Sequence, residues 1–463
     1  MTLIKNISGF RGTVGGRNND NLTPLDIVSS IAAFSKLIKE KNINTSKITV
    51  MTGRDGRKSG ELIHSIVNSV FASMGINVVN TGISTTPSLC WGVLNSDSVA
   101  GLMITASHNP EEYNGLKFFN SEGEFLLNED LIKLVKYSEL KFHDFEENDS
   151  IGIVTEYNNL IDDHIDAILK LNILPLDDIR NLDLFIVADA INSGGALAIP
   201  KLLNKLNIRH KIINDEINGT FNHTPEPLAG NLKDLSKIII ESDADFGIAV
   251  DPDVDRLVFF DEKGQILGEE YTQVYCSDFV LSKIKGDTVS TLSSSNALRD
   301  ITESYGLNYY STPVGEMNVV KKMKEVKSVV GGEGGGGIIF PELHYGRDAL
   351  VGIALFLGLI VEKGYKKISS IINDYPKYYM TKLKISLKND KVINDILKKI
   401  TKKYSNFSPN TDDGVRIDFP NGWVLMRKSN TEPIVRVFSE SRSQKEADLL
   451  AKKIESDITS IVN

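Results

Sequence analysis

The chain has 463 residues, with 52 Lys and Arg against 61 Asp and Glu, a formal net charge of −9 and 41% hydrophobic residues. That length exceeds what one hydrophobic core organises, so several domains are expected. The acidic balance speaks against general binding of nucleic acid or anionic membranes, and any anionic ligand must be held by locally placed cations. Cys90 and Cys276 cannot staple so long a chain, which excludes a disulfide scaffold and fits a reducing, cytoplasmic setting.

At the N-terminus, Gly9, Arg11 and Gly12 arrive before any apolar run of signal-peptide length. Thr23-Pro24-x-Asp26 then combines a capping hydroxyl, a first-turn proline and a carboxylate at the positive helix end, and it opens an apolar stripe through Ile27, Ile31, Phe34 and Ile38. Strands are expected at 48–52, 76–80 and 100–104, with a helix at 61–73 between the first two. A second alternating stretch places strands at 184–188, 209–213 and 246–250, and helices at 196–206 and 232–241. A third unit begins with a helix at 269–284 and ends in the apolar run 349–361, too short for the roughly twenty residues a bilayer needs and so expected as a buried helix.

This alternation implies α/β units with parallel or mixed sheets covered on both faces. After Pro376 the rhythm changes to a strand at 382–387, a helix at 392–404, a hairpin signal at Pro420-Asn421-Gly422 and a helix at 444–461, as in a smaller α+β domain. The expected domains are 1–152, 153–256, 257–373 and 374–463.

Four polar stretches carry chemistry. Asp251-Pro-Asp253-Val-Asp255-Arg256 sets three carboxylates at alternate positions after an apolar strand. Their repulsion costs stability unless a hard cation such as Mg²⁺ neutralises it. A calcium-loop reading conflicts with Arg256, where glycine is needed, and with the strand-like flanks; a solvated acidic turn is the plain alternative. Thr105-Ala106-Ser107-His108-Asn109-Pro110 offers a hydroxyl among small residues at a strand end, with His108 or Lys117 available for a proton; alone it reads equally as a bonded turn. Arg427-Lys428-Ser429-Asn430-Thr431-Glu432-Pro433 with Arg436 gathers cations, hydroxyls and an amide suited to a phosphate dianion, or a polar hairpin tip. Gly331 to Gly337 is permissive backbone around Glu333 and lacks the ending of a P-loop, so a tight functional turn is expected. Arg11, Arg54 and Arg57 read as surface cations in glycine-bearing loops, and His64, His143, His164, His210 and His223 show no metal-ligand spacing.

In chain order, Thr105 to Pro110, Asp251 to Arg256, Gly332-Glu333-Gly334 and Arg427 to Pro433 resemble the four signature loops of the α-D-phosphohexomutases, over essentially the whole chain. The resemblance implies three similar α/β domains and a smaller α+β C-terminal domain around a central cleft. It implies an isomerase that interconverts hexose 6- and 1-phosphates through a phosphoserine and a hexose 1,6-bisphosphate. Ser107 would carry the phosphoryl group; Asp251, Asp253 and Asp255, with Ser107, would hold one Mg²⁺. Glu333 would bind sugar hydroxyls, and Arg427, Ser429, Asn430, Thr431 and Arg436 would clamp phosphate. Arg11, His108, Lys117 and Arg256 would line the reacting centre, with His108 or Lys117 as the base.

Many members carry Ser and His after the sugar-loop glutamate, whereas four glycines follow Glu333 here. This variant is similar to phosphoglucosamine mutases, and His344 or Arg347 is expected to supply a missing contact. The alternatives are a preference for glucose or mannose phosphate, a non-catalytic sugar-phosphate binder and a metal-dependent phosphatase.

Overall fold

The computed structural model describes residues 2–6, 9–45, 47–140, 144–387, 390–428 and 434–462. Ser429, Asn430 and Thr431 of the expected phosphate clamp, and the unassigned His143, lie outside the described residues. The chain divides into two compact units. One comprises 1–283 with 335–369, the other 284–334 with 370–463.

The first unit holds two mixed sheets. Its seven-stranded sheet runs in the order Ile4–Asn6, Gly9–Thr13, Tyr113–Phe119, Ala100–Ile104, Thr49–Arg54, Asn77–Ile83 and Val154–Glu156. The parallel centre is apolar; Ala100–Ile104 is buried at every position. Helix Pro24–Lys41 starts as expected. Thr23 N–H donates to Asp26 Oδ2 at 3.0 Å and Asp26 N–H returns to Thr23 Oγ1 at 3.4 Å, while the predicted stripe is buried.

In the four-stranded sheet the order is Leu257–Phe260, Phe246–Val250, Phe185–Asp189 and Arg209–Ile213. Leu257–Phe260 pairs antiparallel with Phe246–Val250, so this sheet continues past residue 256, where a domain end was expected. The tight return between those two strands carries all three aspartates, and a hairpin partner cannot be separated from its strand. Val154–Glu156 likewise extends the first sheet beyond 152.

The apolar run forms helix Ala349–Lys363, buried from Ala349 to Ile360 and closed by Gly364 in the left-handed region. Its Phe356 stacks on Phe259 at 3.8 Å. Among the described residues no helix is long and apolar enough to cross a membrane.

The second unit contains the parallel strands Tyr309–Thr312, Thr288–Thr291 and Val330–Glu333, in that order, and an antiparallel sheet in the order Tyr379–Ser386, Ile434–Ser441, Gly422–Lys428 and Val415–Phe419. Helices Asp390–Lys403 and Gln444–Val462 supply the apolar side chains that cover one face of that sheet. On the other face the Arg416 guanidinium donates to Leu292 O at 2.6 Å, and Trp423 Nε1 donates to Glu440 at 2.8 Å. The expected hairpin forms with Pro420 and Asn421 as its turn, between the paired residues Phe419 and Gly422. Gly422 takes a positive φ, and a Cβ there would stand 2.0 Å from Glu440 O.

One buried histidine makes stability depend on pH. His64 of helix Gly60–Ser73 is 5% exposed and bonded to Thr52 Oγ1 at 2.9 Å. Burial, then Arg54, lowers its pKa to about 4 from 6.5. The fold favours neutral imidazole, so this contribution is complete above pH 6.5 and is lost as pH falls toward 4. Urea unfolding is expected to show up to about 3 kcal/mol of lost stability from this group across that window, with a flatter profile in His64→Gln.

Candidate functional site

Ser107 follows the fully buried strand Ala100–Ile104, in a turn whose backbone is forced into the left-handed region at φ 48°. A non-glycine residue there is strained and must be held by its surroundings. Arg57 does the holding. At 1% exposure it is no surface cation, contrary to the sequence expectation. Nη2 donates to Ser107 O at 2.6 Å and Asn109 O at 2.7 Å, Nη1 donates to Pro110 O at 2.6 Å and Tyr113 O at 2.9 Å, and Nε donates to Asp55 at 3.0 Å. Asp55 also accepts from Thr105 Oγ1 at 2.7 Å, and Thr105 Oγ1 accepts the Ser107 N–H at 2.9 Å. Only a planar fork of donors satisfies four carbonyls at once. Arg57→Met would strip these carbonyls of their guanidinium donors and the buried Asp55 of its charged partner. We expect a loss of about 3–5 kcal/mol in chemical denaturation, little recovered by Arg57→Lys.

The three aspartates meet this serine. Asp251, Asp253 and Asp255 are at most 1% exposed, and each offers an oxygen within 4.8 Å of the others. Val254 between them is held at φ 64°, strained for a β-branched residue. Ser107 Oγ donates to Asp251 Oδ2 at 2.7 Å and lies 3.3 Å from His108 Nδ1. Asp251 Oδ1 accepts the backbone N–H groups of Asp255 and Arg256 at 3.0 and 3.1 Å.

Lys117 Nζ donates to Asp253 at 2.6 Å and Asp255 at 2.8 Å, and Arg347 Nη2 reaches Asp255 at 2.8 Å. Thr86 Oγ1 donates to Asp253. Thr86 was not expected from the sequence, although Thr85-Thr86-Pro87 carries the same helix-start signal as Thr23-Pro24.

Charge makes this group unusual. Burial, then repulsion from Asp255 and Asp253, pushes the Asp251 carboxyl well above its ordinary range. Burial would raise Asp255 too, but Arg347 and Lys117 outweigh it and hold that carboxyl low. Burial likewise opposes the charge on Lys117, and Asp253 and Asp255 more than restore it, so Lys117 keeps its proton. His108 is driven well below its ordinary value by burial, then by Arg256 and Arg11, and is neutral.

Asp253 Oδ1 and Asp255 Oδ1 are buried without a hydrogen-bond partner among the described residues. Orphaned oxygens of that kind, in an all-oxygen set, fit a hard divalent cation. Arg11 Nη1 donates to Asn109 Oδ1 at 3.3 Å, and Arg256 pairs with Glu226 at 3.3 Å. Gly336, at φ 91°, accepts from Leu257 N–H at 2.9 Å through its carbonyl, and a Cβ on it would stand 2.3 Å from Leu257 O. Gly336 therefore approaches the backbone of Leu257, just past the aspartate loop, as closely as only a glycine can.

His344 is elsewhere. It is 2% exposed and its Nε2 lies 3.3 Å from Asp348 rather than at the aspartate triplet. Arg347, the other expected replacement, reaches Asp255.

In the second unit, Glu333 ends strand Val330–Glu333 and its Oε1 accepts the Gly315 N–H at 2.9 Å. Asp413 accepts the neighbouring Val314 N–H at 2.8 Å and pairs with Arg427 Nε at 2.7 Å. The loop 313–315 therefore links the two residues assigned to sugar and phosphate. Arg427 and Arg436 are direct cross-strand partners, and Lys384 lies opposite Arg436. Direct partners share a face, so three cations form one row across the sheet, an unfavourable alignment that an anion relieves. Lys384 was not singled out from the sequence.

Comparison with known proteins agrees with this layout. Models described as phosphoglucomutase/phosphomannomutase alpha/beta/alpha domains I, II and III match residues 3–139, 162–264 and 269–379, and the corresponding C-terminal domain matches 381–456. A Thermococcus kodakarensis phosphoglucomutase/phosphomannomutase is 35% identical, with 94% of this chain and 95% of that protein covered. A Sulfurisphaera tokodaii phosphoglucosamine/phosphogalactosamine mutase is 30% identical, covering 96% and 97% respectively. A crystal structure of a phosphoglucomutase/phosphomannomutase family protein from Burkholderia thailandensis matches with a TM-score of 0.82 and 25% identity, over 98% of this chain and 95% of that one.

Proposed function

Given that the chain belongs to the phosphoglucomutase/phosphomannomutase family and is a phosphomutase, an isomerase, we propose that it interconverts hexose 6-phosphate and hexose 1-phosphate through phosphorylated Ser107, with glucosamine phosphate as its preferred substrate. The observation that carries this reading is the 2.7 Å contact between Ser107 Oγ and Asp251 within a buried triplet of carboxylates. A binding protein needs neither the strained hydroxyl nor the carboxylates.

Asp251, Asp253, Asp255 and Ser107 would hold one Mg²⁺, which when bound supplies charge neutralisation for the transferring phosphoryl group. The protein's own residues do the rest. Arg57 fixes the Ser107 backbone, and Lys117 and Arg347 orient the carboxylates. Phosphoryl transfer to a sugar hydroxyl gives a hexose 1,6-bisphosphate, and transfer of the other phosphate back to Ser107 completes the isomerisation. His108, neutral and 3.3 Å from Ser107 Oγ, is the proton acceptor in this reading; Lys117, bound to two carboxylates, is not. Arg11 and Arg256 supply positive charge beside it. Glu333 is assigned to sugar hydroxyls, and Arg427 and Arg436, with Ser429, Asn430 and Thr431, to the phosphate that is not being transferred.

The preference for glucosamine rests on the glycines that follow Glu333 and on the aminosugar-phosphate mutase among the relatives. The relative at 35% identity favours a second reading, glucose or mannose phosphate. Measured kcat/KM on glucosamine, glucose and mannose 6-phosphates separates them. We expect glucosamine 6-phosphate to lead by at least about tenfold, and a lead for either neutral sugar overturns the preference while leaving the mutase chemistry intact. The two buried free cysteines suit a cytoplasmic setting.

A further inference from the structure

We propose that His164, His344 and Asp348 form a second metal site, for a divalent first-row transition ion of the Zn²⁺ class, in the interior of the first unit. The three residues are at most 2% exposed, and each offers a ligand atom within 4.8 Å of the others. His164 Nε2 and His344 Nε2 approach the same oxygen, Asp348 Oδ2, at 3.1 and 3.3 Å. Bonds of about 2.0–2.1 Å in a tetrahedral site put neighbouring ligand atoms about 3.3 Å apart, so both distances match edges of that tetrahedron.

A purely hydrogen-bonded cluster explains the geometry less well. His164 Nε2 lies close to the carboxylate yet is aligned with no hydrogen-bond partner among the described residues. A buried ring nitrogen left this way costs free energy, which a cation taking up its lone pair would recover.

The remaining atoms are arranged as outer support. His164 Nδ1 lies 3.0 Å from Ser88 Oγ, a partner that leaves Nε2 free to ligate when Nδ1 carries the proton. Asp348 Oδ1 accepts the N–H groups of Leu350 and Val351 at 2.8 and 3.2 Å, which turns Oδ2 toward the imidazoles. Two nitrogens and one oxygen suit Zn²⁺, Co²⁺ or Ni²⁺ and disfavour Mg²⁺, so this site and the all-oxygen triplet select different ions. His164 comes from helix Leu160–Ile168, His344 from the loop before helix Ala349–Lys363, and Asp348 is the N-cap of that helix. Ser88 belongs to helix Thr86–Leu94, whose Thr86 bonds Asp253. An ion here would tie these helices together behind the aspartate loop.

Co²⁺ titration of the full chain, stripped with chelator and then saturated with Mg²⁺, tests the assignment. One equivalent should bind with the visible ligand-field bands of tetrahedral Co²⁺, and Zn²⁺ should displace it and raise Tm. His164→Gln and His344→Gln, checked for folding by circular dichroism, should each weaken uptake by at least about 100-fold, whereas Asp251→Asn should not. Absence of uptake in excess Mg²⁺, uptake kept by both histidine variants, or uptake lost only in Asp251→Asn would overturn it. If His164→Gln does not fold, His344→Gln decides alone.

Discussion

Ser107→Ala is expected to remove mutase activity by at least about 10³-fold while leaving the protein folded. The side chain contributes one hydroxyl, bonded to Asp251 and near His108, and the turn that positions it is held through its backbone carbonyl by Arg57. Losing one such hydrogen bond costs about 1 kcal/mol, so the unfolding midpoint should barely move. Intact-mass spectrometry of the wild type after exposure to hexose 1,6-bisphosphate should show one added phosphoryl group, absent in the variant. Full activity in Ser107→Ala would move the nucleophile to another residue.

Asp251→Asn is expected to be nearly as damaging to turnover, with the opposite sign for stability. Burial and two neighbouring carboxylates make the charge on Asp251 costly in the metal-free fold. Removing it should leave Tm without metal unchanged or higher. Asparagine keeps the oxygen that accepts the Asp255 and Arg256 N–H groups, so the loop shape survives. What is lost is a charged ligand, worth several kcal/mol of electrostatic stabilisation, or about 10³-fold in kcat. Activity titrated with Mg²⁺ should shift to higher concentrations. A simple fall in Tm with an unchanged Mg²⁺ dependence would mark Asp251 as structural.

Periodicity located most of the scaffold, because long elements with apolar stripes such as Pro24–Lys41 and Ala349–Lys363 are written locally. Helix Thr86–Leu94 was missed. It is buried almost all round, so it has no amphipathic stripe to read, although Thr85 caps it. The domain ends expected at 152 and 256 cut through strand partners, since pairing is a property of two distant segments. The serine and aspartate loops were legible as chemistry, and their meeting is a tertiary fact. Arg57 carried no signal beyond its glycine-flanked loop, because its five partners are one nearby side chain and four carbonyls fifty or more positions away. His164 and His344 are 180 positions apart, beyond any spacing rule, and only the fold brings both to Asp348.

The most direct test follows a labelled phosphoryl group from substrate to protein. Unlabelled phosphoenzyme is mixed with hexose 6-phosphate whose phosphate carries ¹⁸O, and the tryptic peptide containing residue 107 is analysed by mass spectrometry. The heavy phosphoryl group should appear on Ser107 as hexose 1-phosphate forms. Heavy label released as inorganic phosphate, or retained on the sugar while the 1-phosphate accumulates, would contradict a mutase that works through this serine.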